Sequence, residues 1–154
     1  MSRAESLSNE DTQALRAVLD EIIPPSGDGR LPGAGQLGLV SRIEEAMVRS
    51  PDLRPAVEQG LTALRARAEE LGGPFETLEP SVRRDALNEV AARQPAFLPG
   101  LIFHVFTGYY QEGRVLEGLG LEPRPPHPQG YPLEAGDLSL LDPVRERGRR
   151  YREV

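Results

Sequence analysis

The chain has 154 residues, a mass of 16.9 kDa and a net charge of −6, which is the size of one domain. It contains no cysteine, so disulfides, thiolate zinc sites, cysteine-ligated iron–sulfur clusters and a cysteine nucleophile are excluded. All 18 basic residues are arginine, which excludes lysine Schiff-base chemistry and the P-loop lysine, and the negative charge argues against a nucleic-acid partner.

The first predicted helix is marked at both ends. Ser8 followed by Asp11 is typical of a helix start, with the serine as cap and the acid at the third position. Apolar residues recur at helical spacing over residues 15–23, and two prolines end the helix. Residues 24–38 are rich in Gly and Pro and form a loop of unusual length, which predicts a segment that is either functional or mobile.

Four further helices are predicted from apolar spacing and from stop signals. They cover residues 39–50, 52–71, 80–94 and 97–111. The third of the five helices repeats its apolar residues every three or four positions between Leu53 and Leu71, which indicates a helix-packing seam. Pro80 stands at the first position of the fourth helix, where proline is well tolerated.

The fifth helix is apolar over most of its circumference, which is typical of a central, buried helix. One stripe consists of Leu98, Leu101, Ile102, Val105 and Tyr109, and a second stripe of Phe103, Phe106 and Tyr110. One small bundle is not expected to bury all of these apolar side chains, in particular those of the second stripe. We therefore also predict that part of this helix is left exposed for a partner.

Three elements follow the fifth helix. A short helical turn is predicted at residues 114–119. Residues 120–137 are rich in proline and are expected to form an extended, polyproline-like strap packed on the bundle. An Arg-rich C-terminal helix is predicted within residues 138–154, with Asp142 and Pro143 at its start.

These elements predict an all-α fold in a single domain over residues 1–154. A bundle of about five main helices occupies residues 8–119, and the strap and the C-terminal helix follow it. The N-terminus resembles no export signal, and the most apolar stretch, residues 96–110, is too short to span a bilayer. We therefore expect a cytoplasmic protein without direct membrane insertion, unless it is exported together with a partner.

Residues 33–38 match the sequence pattern Gly-x-Gly-x-x-Gly of dinucleotide-binding loops. This pattern binds a pyrophosphate only where a strand leads into it and a helix follows. Here Pro and Gly residues of the loop precede it, so a flexible connector between two helices is the favoured interpretation. The sequence predicts no cofactor site.

The two histidines do not predict a metal site. A ferritin-like di-iron site requires a Glu three residues before His, and neither His104 nor His127 has one. His104 lies in the most apolar helix, where a core or partly buried histidine is the favoured interpretation. The alternative function is a stand-alone small enzyme or ligand-binding protein, which needs a polar-lined pocket near His104, Tyr109 and Tyr110.

Two segments after the bundle are candidates for partner contact. Pro126, His127 and Tyr131 lie in the stiff strap, which either packs on its own bundle or presents these residues to a partner. Residues 143–154 contain five Arg and two Glu. Their positive charge either interacts favourably with the dipole of their own helix or contacts an acidic partner. The arginines proposed for such a contact are Arg145, Arg149 and Arg150.

Several of these segments together resemble the gluconate 2-dehydrogenase subunit 3 family. The motifs are LDEIIPP at residues 19–25 with the Gly-rich loop after it, LGGPF at 71–75, LEP at 78–80, RDAL at 84–87 and TGYY at 107–110. Each motif is weak alone, and their order and spacing carry the resemblance. It covers roughly residues 10–112 and implies a small helical subunit.

The resemblance implies a non-catalytic subunit that accompanies a large flavin-dependent dehydrogenase of the glucose–methanol–choline type, often with a cytochrome subunit. Family members help the large subunit to fold, to take up flavin or to leave the cell. Many begin with a twin-arginine signal, and this chain shows none. We predict an accessory protein that is not itself an enzyme; self-association of the bundle stays open. Its bundle contacts would be Phe103, Phe106, Tyr109 and Tyr110.

Overall fold

A computed structural model describes residues 6–125, 127, 129–130 and 134–147. Over these residues the fold is all-α, as predicted, with seven helices and no strand. The helices are α1 (Asn9–Ile22), α2 (Leu39–Arg49), α3 (Leu53–Glu70), α4 (Pro80–Arg93), α5 (Phe97–Tyr109), α6 (Gly113–Gly118) and α7 (Asp142–Glu146). None of these described helices combines the length and apolarity needed to cross a bilayer. Contacts divide the chain into two compact units, residues 1–124 and 125–154.

Helices α1 to α6 begin and end within two residues of their predicted positions, for local reasons. The Ser8 hydroxyl oxygen accepts a hydrogen bond from the Asp11 N–H at 3.0 Å and so caps α1. Pro80 occupies the start of α4. α3 ends at Glu70 and is followed by Gly72 and Gly73, whose φ angles of 118° and 154° are favoured by glycine and rarely adopted by residues with a Cβ atom.

The core of the first unit is built around α3, which contacts α1, α2, α4 and α5. The buried residues of its predicted seam are Leu53, Val57, Leu61, Leu64 and Ala68. Leu71, the last residue of the predicted seam, is exposed. Where α3 crosses α5, a Cβ atom at Gly60 would lie 2.1 Å from Cδ2 of Phe97. The glycine therefore allows the Phe97 ring to pack directly on the α3 backbone.

α5 is not the central helix of the bundle, so that prediction is wrong. One side of α5 packs on α2 and α3 and is buried. The other side is also apolar but is exposed. The physical reason is that the neighbouring helices cover only one side of α5, and apolar composition alone does not supply a neighbour.

The Gly-rich loop over residues 24–38 is fixed to α1. The Gly35 N–H donates to Oδ1 of Asp20 at 2.8 Å, and a Cβ atom at Gly35 would lie 2.1 Å from the carbonyl oxygen of Arg16. The described residues before the loop form α1 and turns, so no strand leads into it. The dinucleotide pattern is therefore a connector, and its glycines allow close packing, which corrects the expectation of a flexible one.

The described part of the second unit contains two short helical elements. Residues Leu138–Leu141 form a 3-10 turn, and α7 follows with Pro143 in its first turn, as predicted. The predicted continuation of this helix beyond residue 147 lies outside the described residues. The packing of the Pro-rich strap on the bundle and the assignment of a single domain stay predictions.

Candidate functional site

An apolar surface lies on the side of α5 that the bundle leaves uncovered. Its side chains, which we call the α5 face, are Ile102, Phe103, Phe106 and Tyr110. Between 38% and 66% of each is exposed, and spacings of three and four residues place them along one side of the helix. Single exposed apolar residues are ordinary on proteins, whereas a group of them along one helix makes a surface a candidate for an interaction site.

The rings on and beside the α5 face pack on one another. Phe106 and Tyr110 have ring centroids 6.1 Å apart. Phe103 meets His104 edge-on at 5.2 Å, and Tyr110 meets Tyr109 in the same way at 5.2 Å. His104 is half-buried beside the face. These aromatic contacts hold the exposed side chains in place and so reduce the entropy that binding would cost.

Tyr109 does not lie on this surface, although the sequence suggested it as a contact residue. Its ring is buried, and its hydroxyl donates a 2.9 Å hydrogen bond to the carbonyl oxygen of Pro32. Burial also raises the pKa of the Tyr109 hydroxyl. Tyr109 therefore joins α5 to the Gly-rich loop from inside the bundle, and we correct its role to a structural one.

Polar side chains lie beyond Tyr110, at the C-terminal end of α5. Arg42 of α2 forms an ion pair with Glu112 at 3.3 Å and donates to Oε1 of Gln111 at 3.2 Å. α2 and α5 approach closely here, since a Cβ atom at Gly108 would lie 3.0 Å from a methyl carbon of Leu39. An apolar centre with polar groups at its edge is the usual anatomy of a protein interface.

The other residues proposed for partner contact belong to the second unit. His127 is exposed. Arg145 forms an ion pair with Asp142 at 3.0 Å. The remaining candidates, Pro126, Tyr131, Arg149 and Arg150, lie outside the described residues.

The alternative function needs a polar-lined pocket near His104, Tyr109 and Tyr110. The hydroxyl of Tyr109 is already bonded inside the bundle. A cleft of about 370 Å³ lies elsewhere, between α1, α3 and the turn that follows α3. Its arginine, Arg65, pairs with Glu10 at 2.7 Å. Among the described residues, no group of three or more His, Asp or Glu side chains is placed to hold a metal ion.

The structure brings several motif segments together at the end of α1, which the sequence analysis missed. The side chain of Glu21 is almost fully buried, and its oxygens accept hydrogen bonds from Nε of Arg83 at 2.7 Å and Nε of Arg84 at 3.4 Å. Burial raises the pKa of the neighbouring Asp20, although its hydrogen bond from Gly35 acts in the opposite direction. The sequence signal that could have revealed this arrangement is the acidic pair Asp20 and Glu21, shortly before the two prolines. Glu21 joins α1 to α4, and Asp20 joins α1 to the loop.

The family model described as Gluconate 2-dehydrogenase subunit 3 matches residues 9–118. No curated protein and no solved structure matches the chain. The matched range begins at the first residue of α1 and ends at the last residue of α6, so it contains the whole α5 face and none of the second unit.

Proposed function

Because the chain belongs to the gluconate 2-dehydrogenase subunit 3 family, we propose that it is a non-catalytic accessory subunit of a dehydrogenase complex. Its partner is a large flavin-dependent dehydrogenase of the glucose–methanol–choline type, and the α5 face is its contact surface. The exposure of four apolar side chains on α5 is the observation that carries this proposal. A chain that acts by binding another chain needs such a surface and needs no reactive site of its own.

The chemistry of the α5 face suits a subunit contact. Three of its four side chains are aromatic, and aromatic residues carry much of the binding energy at interfaces. Truncation of one such residue at the centre of an interface costs about 2 kcal/mol or more. Burial of Phe103 and Phe106 in an apolar groove of the partner would remove their exposed surface from water, which stabilises a complex by roughly 25 cal/mol per Å².

The α5 face is supported from beneath. Leu101 and Val105 are completely buried on the opposite side of the helix, and Tyr109 is bonded to the Gly-rich loop. α5 is therefore held in position by the core rather than ordered by the partner. Such preorganisation lowers the cost of binding.

The chaperone-like part of the proposal follows from the same chemistry. A large subunit that exposes an apolar groove before assembly is prone to aggregate. An accessory chain that covers the groove would keep the large subunit soluble while flavin is taken up. On this basis the chain is required for assembly and not for turnover.

Coexpression of the chain with a large flavin-dependent dehydrogenase subunit from the same organism tests the proposal. We expect the large subunit to be soluble, loaded with flavin and copurified with the chain, and to be poorly soluble or low in flavin when it is expressed alone. Flavin absorbance per large subunit is the measurement. Equal yields of flavin-loaded large subunit with and without the chain, with nothing copurifying, would contradict the proposal.

A further inference from the structure

One dipeptide of the Gly-rich loop can react within itself. In the whole sequence, only Asp28 is an Asp or Asn residue that is followed by glycine. At such a dipeptide the backbone nitrogen of the glycine can attack the side-chain carboxyl carbon, because glycine has no Cβ atom to hinder the approach. The side chain of Asp28 is 52% exposed, so water also reaches it. The Asp28–Gly29 dipeptide therefore meets the local requirements for aspartate isomerisation.

Isomerisation takes place in two steps, and the water released in the first is taken up again in the second. First, the nitrogen of Gly29 forms a bond to Cγ of Asp28. The carboxyl hydroxyl group and the proton of the N–H leave together as water, and a cyclic succinimide forms. Water then adds to the backbone carbonyl carbon of Asp28 and breaks its bond to the nitrogen. The main chain now runs through Cβ and Cγ, so the isoaspartyl product is longer by a single carbon atom.

The folded loop holds the Asp28 carboxylate through three hydrogen bonds, which we call the Asp28 cluster. The Ser26 hydroxyl donates to Oδ1 of Asp28 at 2.6 Å, and the Arg30 N–H donates to the same oxygen at 3.1 Å. Nε of Arg30 donates to Oδ2 at 2.7 Å. Both carboxylate oxygens therefore have donors, and movement of the carboxyl group towards the Gly29 nitrogen costs these hydrogen bonds.

The attacking nitrogen is also engaged in the folded loop. The Gly29 N–H donates to the carbonyl oxygen of Ser26 at 3.0 Å and closes a β-turn. The hydrogen bond from the Ser26 hydroxyl, together with those from Arg30, lowers the pKa of the Asp28 carboxyl to about 2. A carboxylate is a poorer electrophile than a neutral carboxyl group, because its charge repels the nitrogen lone pair and it has no hydroxyl group to release. The turn therefore opposes cyclisation at both reacting atoms.

We propose that Asp28–Gly29 is a site of spontaneous aspartate isomerisation, and that the Asp28 cluster keeps the reaction slow while the loop is folded. The site is independent of the proposed function, since it lies in the loop and not on the α5 face. Isoaspartate at this position records the opening of the loop, because only an open loop frees the carboxyl group and the nitrogen together.

Isomerisation would alter the contacts of the loop with α5 and α6. The Ser26 N–H donates to the carbonyl oxygen of Leu31 at 2.9 Å, across the reactive turn. Leu31 packs on α6, where a Cβ atom at Gly118 would lie 2.7 Å from a methyl carbon of Leu31. Pro32 follows and accepts the hydrogen bond that joins the loop to α5. A longer main chain changes the span that these contacts fix, so we expect the isoaspartyl form to be less stable.

The test follows isoaspartate in the full chain during incubation at about pH 5, where a carboxyl group of ordinary pKa is still partly protonated. Methylation by an isoaspartyl methyltransferase measures the amount, and tandem mass spectrometry locates it. We expect formation at Asp28 to be about tenfold or more faster in urea than in the folded chain, since one pKa unit changes the protonated fraction tenfold. No isoaspartate at Asp28 in urea would overturn the site, and equal rates would overturn the protection.

A double variant separates the Asp28 cluster from the fold as a whole. Ser26→Ala with Arg30→Gln keeps the reactive dipeptide and removes both side-chain donors. Isoaspartate should form about threefold or more faster than in the unaltered chain, with the helical content confirmed by circular dichroism. Arg30→Gln alone keeps the Ser26 hydrogen bond and should give a smaller increase, which decides the question if the double variant does not fold. An unchanged rate in the folded variants would overturn the role of the cluster.

The matched control combines Ser139→Ala with Arg145→Gln. These two side chains donate to Asp137 and Asp142 in the same way, but neither acid is followed by glycine. The control should form isoaspartate at Asp28 at the rate of the unaltered chain. A rise equal to that of the double variant would overturn the role of the Asp28 cluster.

The consequence for the loop is measured on the isolated product. The isoaspartyl form is separated from the unreacted chain by ion-exchange chromatography, and the thermal unfolding midpoints of the two are compared. We expect the lower midpoint for the isoaspartyl form. Equal midpoints would overturn the predicted change in the contacts of the loop.

Discussion

The two sides of α5 have similar apolar character and opposite surroundings. Phe97, Leu101 and Val105 are completely buried against α2 and α3, whereas Phe103 and Phe106 are exposed. Both sides satisfy the sequence criteria for a core helix, so hydrophobicity does not distinguish them. The difference teaches that a side chain is buried only where another element of the chain is available to cover it. An apolar side without such an element is therefore available to another protein.

The largest expected effect comes from truncation on the buried side. Phe97→Ala removes the ring that packs on Gly60 and leaves a cavity between α3 and α5. The free energy of unfolding should fall by about 3–5 kcal/mol. Phe103→Ala on the exposed side is the matched control and should change it by no more than about 0.5 kcal/mol. Urea unfolding followed by circular dichroism measures both, and equal losses would contradict the assignment of the two sides.

The second prediction concerns binding to the large subunit instead of stability. Phe103→Ser combined with Phe106→Ser should reduce affinity for the large subunit by about 2 kcal/mol or more, because two aromatic anchors are lost. Val48→Ser changes a similarly exposed apolar residue of α2 and should bind normally. Isothermal titration calorimetry with the purified large subunit gives the Kd values. Undiminished affinity of the double variant would remove the α5 face from the interface.

Two adjacent tyrosines allow a buried and an exposed position to be compared by removal of one hydroxyl group from each. Tyr109→Phe removes the hydroxyl that donates to the buried carbonyl oxygen of Pro32. An unpaired buried acceptor costs about 1–3 kcal/mol, so the free energy of unfolding should fall by that amount. Tyr110→Phe alters the exposed neighbour and should leave stability unchanged. The opposite order of the two thermal unfolding midpoints would show that the assignment is wrong.

The smallest expected effect concerns Asp20. Its carboxyl group accepts a hydrogen bond from the Gly-rich loop, and the same loop contains Pro32, whose carbonyl oxygen accepts from Tyr109. Burial raises the pKa of the Asp20 carboxyl above its usual 3.8. The stabilisation by this group is therefore fully present below pH 3.8 and is lost as the pH rises through the folded-state pKa. Asp20→Asn keeps an acceptor for Gly35 and does not titrate. Relative to this variant, the unaltered chain should lose stability as the pH rises from 3.8 towards neutrality.

Chemical denaturation at several pH values measures this difference for Asp20→Asn. Asp85→Asn, at an exposed position of α4, is the control for the removal of an acidic charge. A stability difference between Asp20→Asn and the unaltered chain that stays constant with pH, or changes in the opposite direction, would contradict the role assigned to burial.

Much of the secondary structure was predictable because its causes are local. Ser8 and Asp11 form the predicted cap, Pro80 stands at the first turn of α4, and paired glycines end α3. Each of these signals acts within about one turn of helix. The candidate site was predictable only in part: Phe103, Phe106 and Tyr110 are on the exposed side as expected, while Ile102 was missed and Tyr109 was misplaced.

The sequence by itself determined where helices begin and end, which residue types are excluded from chemistry, and that α5 contains more apolar side chains than one side requires. Only the tertiary structure decided which side of α5 is covered and why the loop glycines are needed. Tyr109 illustrates the reason, since its hydrogen-bond partner, Pro32, lies 77 positions away in the chain. Helical spacing and capping depend on residues within a turn, whereas burial depends on elements that meet only when the chain has folded.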